Sequence, residues 1–199
     1  CARQSGEPLR VVDALSLLAH MYSRAGDAAQ ADALLIEAEA LLPSVPKDLP
    51  RRGEIATNVQ LDRLSLAVTT GDAGTAVRIA EALLQRFAEE KGPTQLADAT
   101  LFNRGAAAYN RAMRYADSLA MQDRAMQALA APGDGANTNV LIYHSVRLYT
   151  LLQAGDPAAA VRYIEARVLP GVRGGLGDLP ADLFARMVMA YVRAGDITR

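Results

Sequence analysis

The chain has 199 residues, enough for one ordinary domain or a short solenoid, and 51% of them are hydrophobic. Aromatics make up only 5%, Trp is absent, and alanine and leucine dominate, which favours helices over strands. The 21 basic and 22 acidic residues leave a net charge of −1, so neither the basic patch of a nucleic-acid binder nor a polybasic membrane segment is implied.

Cys1 is the only cysteine, so no internal disulfide can form and the redox compartment stays open. It reads either as the lipid-modified first residue of a mature bacterial lipoprotein or as the point where a longer chain was cut. A helix expected to start near Pro8 leaves almost no tether for a lipid, which favours the second reading and a cytoplasmic location. The first would place the chain in the periplasm or at the outer membrane. No apolar stretch reaches the roughly 18 residues needed to span a membrane.

Helical spacing appears at once: Leu15, Leu18, Ala19 and Tyr22 fall on one face, and Ala31, Leu34, Leu35, Ala38, Leu41 and Leu42 on another. Between them stands Ala25-Gly26-Asp27. Glycine tolerates the left-handed backbone that ends a helix, and aspartate caps the next one. The phrase returns as Thr70-Gly71-Asp72, Ala154-Gly155-Asp156-Pro157 and Ala194-Gly195-Asp196, with a glycine-free turn at Met113-Arg114-Tyr115. The turns therefore recur every 40 to 45 residues. They predict helices over 9–24, 28–42, 54–70, 73–90, 95–112, 114–130, 138–154, 157–169 and 181–194. Breaker-rich links separate the hairpins at 43–53, 89–95, 131–138 and 170–181. The expectation is an all-α chain forming one repeat array over 1–199, with hairpins at 9–42, 54–90, 95–130 and 138–169 and a partial fifth at 181–199.

This pattern resembles the tetratricopeptide repeat family. The first hairpin carries Leu15, Leu18-Ala19, Tyr22, Ala31, Leu35 and Pro43 at the family's spacings. Weaker matches follow: Leu64, Ala67, Ala76, Ala80 and Leu83; Ala106, Tyr109, Ser118 and Ala125; Leu148, Leu151, Ala160 and Ile164; Val188 and Tyr191. The period near 42, with Asn103 to Tyr109 followed by Arg114-Tyr115-Ala116-Asp117, is similar to the longer repeats of kinesin light chains and related bacterial proteins. The resemblance implies a right-handed superhelical solenoid whose first helices line a concave groove.

The groove face is what remains of each first helix once packing positions are removed. It comprises Asp13, Ser16, His20, Ser23 and Arg24; Asn58, Leu61, Ser65 and Thr69; Thr100, Asn103, Ala107, Asn110 and Arg111; Ile142, Ser145, Tyr149, Leu152 and Gln153; and Asp182, Ala185, Met189 and Arg193. Asparagine donates and accepts at once, so it can hold an extended peptide backbone. Arginine offers a planar fork for a carboxylate. Asn103, Asn110 and Arg111 form one stripe, with Tyr149 and Leu152 as an apolar shelf. Singly these are ordinary solvated side chains; as a stripe with His20, Arg24 and Asn58 they are the candidate partner-binding residues. The lysines with which chaperone adaptors of the family clamp a C-terminal carboxylate are missing, so that specificity is not expected.

No catalytic constellation is legible. His144 lies on the inward stripe with Leu148 and Leu151, and His20 stands on the groove face with no acid in register. Two isolated histidines and a terminal cysteine make neither a metal site nor a nucleophile–base pair. Gly171 to Gly177 lacks the Gly-Lys-Ser/Thr of a phosphate loop and reads as a linker. Asp62, Asp72, Glu81, Glu89 and Glu90 read as solvated charge. The expectation is a non-enzymatic scaffold without cofactor or metal, binding a protein or peptide in the groove, as a module of a larger bacterial regulatory or signalling protein. The alternatives are a structural or oligomerisation module and, with a lipidated Cys1, an anchored assembly factor. A last expectation concerns the final helix. Leu183, Phe184, Met187, Val188 and Tyr191 would lack a covering helix there, so that residues 183–191 self-associate or the chain belongs to a longer array.

Overall fold

The computed structural model describes residues 8–89, 95–129, 138–172 and 179–195. Among them every regular element is helical: α1 (Pro8–Arg24), α2 (Ala28–Leu41), α3 (Arg52–Thr70), α4 (Ala73–Glu89), α5 (Gln95–Arg111), α6 (Tyr115–Leu129), α7 (Thr138–Gln153), α8 (Pro157–Tyr163) and α9 (Ala181–Ala194). The helix expected to run over 157–169 departs from α geometry after Tyr163. It continues as a π-helical stretch, Ile164–Val168, and a 3-10 turn, Leu169–Gly171. The chain divides into two compact units, Cys1–Lys91 and Gly92–Arg199.

The turns form as their residues dictate. Gly26, Gly71, Gly155 and Gly195 all adopt left-handed backbone, with φ between 77° and 86°. Met113 takes the same conformation, φ 58°, although a side chain there costs about 1–2 kcal/mol. The amide that follows each of the first four turns then closes onto a carbonyl five residues back: Asp27 to Tyr22, Asp72 to Ala67, Arg114 to Tyr109 and Asp156 to Leu151. The aspartates cap the next helix, accepting from the amides of Gln30, Thr75 and Ala159 at 2.8–3.0 Å. The amide of Thr75 holds the Asp72 carboxyl below its ordinary range. Asp196 lies outside the described residues.

In the first unit α1 pairs with α2 and α3 with α4, and α3 packs against both α1 and α2. The core gathers Val12, Leu15, Ala19, Ala31, Leu35, Val59 and Leu66. Arg63 on α3 reaches back to Asp32 and Glu39 on α2, and Arg52 donates to the carbonyls of Val45 and Leu42. In the second unit α5 pairs with α6, α6 meets α7, and α9 packs on α7 and α8. Leu148, Leu151, Ala160, Ile164, Leu183, Met187 and Ala190 form one core there.

Small residues stand where helices meet. Ala31, Ala76, Ser118 and Ala160, each five residues beyond its turn, have no exposed surface. Ser118 meets this requirement with a hydroxyl, which donates to the Ala106 carbonyl at 2.9 Å and is thereby satisfied.

Three expectations need correction. Leu18 and Tyr22, assigned to the inward face of α1, are 44% and 41% exposed, because that side of α1 faces away from α2 and α3. Leu61, Leu152, Ser16 and Ser145, assigned to the groove face, are buried, Ser16 against α3 and Ser145 and Leu152 against α9. Leu183 and Met187, expected to lie bare, are buried against α7 and α8.

Candidate functional site

The first helices of each unit are tied together by polar bonds that span about one repeat. In the first unit the Ser16 hydroxyl on α1 donates to Asp62 Oδ2 on α3 at 2.7 Å. His20 Nδ1 lies 3.3 Å from the other oxygen, Oδ1. Asp62 is therefore neither solvated charge nor absent from the register of His20, as its sequence context implied. Its carboxylate sits between α1 and α3, reached by both partners.

A serine, a histidine and an aspartate here share space without forming a nucleophile–base relay. The carboxylate is the central member, and the serine proton goes to it rather than to the imidazole. Ser16 is 3% exposed, so its oxygen offers nothing to a substrate. The cluster is a clasp between helices. Nearby, Ser65 and Thr69 turn their hydroxyls onto carbonyls of their own helix. Exposed on the same two helices are Arg24 and Asn58, with His20 partly exposed.

The second unit repeats the device. Asn110 Nδ2 on α5 donates to Thr150 Oγ1 on α7 at 2.8 Å. Thr150 also accepts from Gln122 Nε2 of α6 at 2.6 Å and donates to the Val146 carbonyl. The Ser145 hydroxyl donates to Asp182 Oδ2 on α9 at 2.6 Å, and this bond holds the Asp182 carboxyl below its ordinary range. Arg186 and Arg193 of α9 donate to the carbonyls of Ser145 and Leu152 on α7.

These bonds sort the sequence-derived candidates. His20 and Asn110 are engaged in ties between helices, as are Ser16, Ser145, Asp182 and Arg193. Asn103 is partly buried, with its Oδ1 carrying no hydrogen bond. Asn58, Arg24, Arg111 and Tyr149 remain exposed. Tyr149 is 40% exposed and its ring carries the Arg186 guanidinium 5.1 Å from its centre. Ile142, two turns earlier on the same face of α7, is 52% exposed. Sequence reasoning missed Arg186 and the role of Asp62. The available signal was a serine and an aspartate about one repeat apart, which occurs at Ser16–Asp62 and again at Ser145–Asp182.

His144 is 6% exposed, as its inward position implied. Its Nδ1 pairs with the Tyr163 hydroxyl at 2.7 Å, and Arg147 lies over the Tyr163 ring while bridging to Asp123. Burial, then the positive charges of Arg147 and Arg167, push the imidazole below its ordinary range. The unfolded chain therefore binds more protons than the folded one once pH falls toward 6.5, and stability is lost as pH drops through that region. The slope is at most about 1.4 kcal/mol per pH unit for this one group. A thermal melt at pH 7.5 and at 5.5 checks this: the wild type loses more stability on acidification than His144→Phe does. Equal losses in the two proteins would show that His144 is not the titrating group.

Among the described residues no group of three or more His, Cys, Asp or Glu side chains is placed to hold a metal ion. No described helix is long and apolar enough to cross a membrane. No protein-family model, curated protein or solved structure matches the chain.

Proposed function

We propose that the chain is a protein-interaction scaffold, a right-handed solenoid of tetratricopeptide-like hairpins that binds a peptide or partner protein along its first-helix faces. The observation that carries this reading is on α7. Its two exposed large apolar side chains, Ile142 and Tyr149, share the face assigned to the ligand, and Arg186 stands over Tyr149. An aromatic ring with an arginine beside it is the combination over-represented where partners bind most strongly. The ties between first helices support the same reading, because they hold the face rigid before a ligand arrives and lower the entropy lost on binding. Arg111 on α5 is exposed and supplies a planar donor fork, with Asn103 about two turns earlier on the same helix.

The test is a displayed peptide library selected on the purified chain, followed by titration of the selected peptides. Tyr149→Ala, and Asn103→Ala combined with Arg111→Ala, should each weaken binding by about tenfold or more while leaving helicity unchanged. Arg124→Ala, on the exposed side of α6, should do nothing. Affinity that ignores the first-helix changes and falls with Arg124→Ala would overturn the proposal.

A further inference from the structure

We infer that the second unit opens locally at one hairpin: α5 and α6 leave α7 and lose their folded structure together, while α7 to α9 and the first unit stay intact. Asn103 and Arg111 lie on this hairpin, so opening dismantles part of the face assigned to a ligand. The inference itself does not depend on that assignment.

The seam between this hairpin and α7 is built unlike the others. α3 packs against both α1 and α2, and α9 against both α7 and α8, whereas α7 meets the hairpin before it mainly through α6. α5 reaches α7 by side chains. Tyr143 of α7 is hydrogen-bonded to Thr100 and clusters with Ala99 and Ala125, and Asn110 donates to Thr150. Counted back from its turn, Thr150 corresponds to Leu66 on α3 and Ala190 on α9, each buried in an apolar core. A polar hub therefore stands where the other seams have hydrocarbon.

That hub is incompletely satisfied. Asn103 Oδ1, Asn110 Oδ1 and Gln122 Oε1 have no hydrogen bond and effectively no exposed surface. Arg147 Nε, on the α7 side chain that bridges to Asp123 of α6, is in the same position. Among the described residues α1 to α4 contain no such side-chain atom. For Gln122 the orientation is forced. Its Nε2 donates to the hydroxyls of Ser118 and Thr150, and those hydroxyls donate onward to the carbonyls of Ala106 and Val146. They can only accept from Gln122, so its oxygen points away from them, where nothing donates to it. A buried acceptor without a donor has given up its hydration for nothing, and opening restores it. The turn adds a second load. Met113 holds the left-handed conformation that the other four hairpin turns give to glycine, and its side chain, 74% exposed, gains no packing in return. Each of these features is relieved when the hairpin leaves α7, and none is relieved by unfolding the first unit. The hairpin therefore opens at a lower free energy than the rest.

Matched thiols in a Cys1→Ser chain test this. Ala125 on α6 and Ala38 on α2 stand equally far beyond their turns and have no exposed surface, so Ala125→Cys and Ala38→Cys report on the two junctions with little change of volume. Each is labelled with an aromatic disulfide reagent, and its rate is divided by that of the same variant unfolded in urea. The ratio should be about tenfold or more higher at position 125. Adding Met113→Gly should slow position 125 by about fivefold, the strain relieved less the extra freedom of an unfolded glycine, and leave position 38 unchanged. Equal ratios at the two positions overturn the inference. So does a Met113→Gly change that slows both alike, which would mean that labelling follows global unfolding. Hydrogen exchange of the unaltered chain repeats the test should either cysteine variant lose helicity: amides of α5 and α6 should exchange faster than those of α3 and α7, and equal protection in all four overturns the inference.

Discussion

Thr150→Val destabilises the protein by about 2–4 kcal/mol, although it changes neither shape nor volume appreciably. The hydroxyl of Thr150 has no exposed surface and accepts from two side-chain amides, those of Asn110 and Gln122. Valine removes the acceptor from both. A buried donor left without a partner costs about 1–3 kcal/mol, more than the net worth of the bond that satisfied it. Gln122 is 1% exposed and cannot reach water; Asn110 is partly buried and recovers some of its loss. Gln122 retains only the longer bond, to Ser118 Oγ at 3.2 Å. Urea unfolding measures the change. Adding Gln122→Leu to Thr150→Val should then cost less than the separate effects added together, because the stranded amide is gone. A loss under about 0.5 kcal/mol for Thr150→Val would mean that the network is satisfied in some other way.

Ala31→Leu and Ala76→Leu should each cost about 1–3 kcal/mol by forcing helices apart. Neither alanine has any exposed surface. Ala31 stands against Leu15, Ala19 and Leu35 in the core of the first unit, where three added carbons have no room. Ala33→Leu, at an exposed position on α2, is the control and should change stability by no more than about 0.5 kcal/mol. Thermal unfolding of the three variants separates the cases. Unchanged midpoints for both buried positions would show that the hairpins pack in a different register.

The turns, the helix limits and the small contact positions were legible in the residues alone. Each depends on physics that acts within a few residues. Glycine at 26, 71, 155 and 195 takes a backbone angle that other residues resist, and the aspartates at 27, 72 and 156 find an amide three residues on. The repeat period was regular enough to place Met113 in a left-handed turn against its own preference. Helix starts and ends fall within two residues of those expected from sequence, except in α8, where the π-helical stretch replaces the last turns.

Only the tertiary structure decided which polar residues of the first-helix face are spent on the protein itself. Ser16 and Asp62, Asn110 and Thr150, and Ser145 and Asp182 look as solvated in sequence as Asn58 or Arg111. They become partners because two helices about forty residues apart settle side by side in one axial register, and a shift of a single residue along either helix would turn a side chain by roughly 100° and part the pair. The same packing exposes Leu18 and Tyr22 and buries Leu61 and Leu152, since helical periodicity marks an apolar face but not which neighbour covers it.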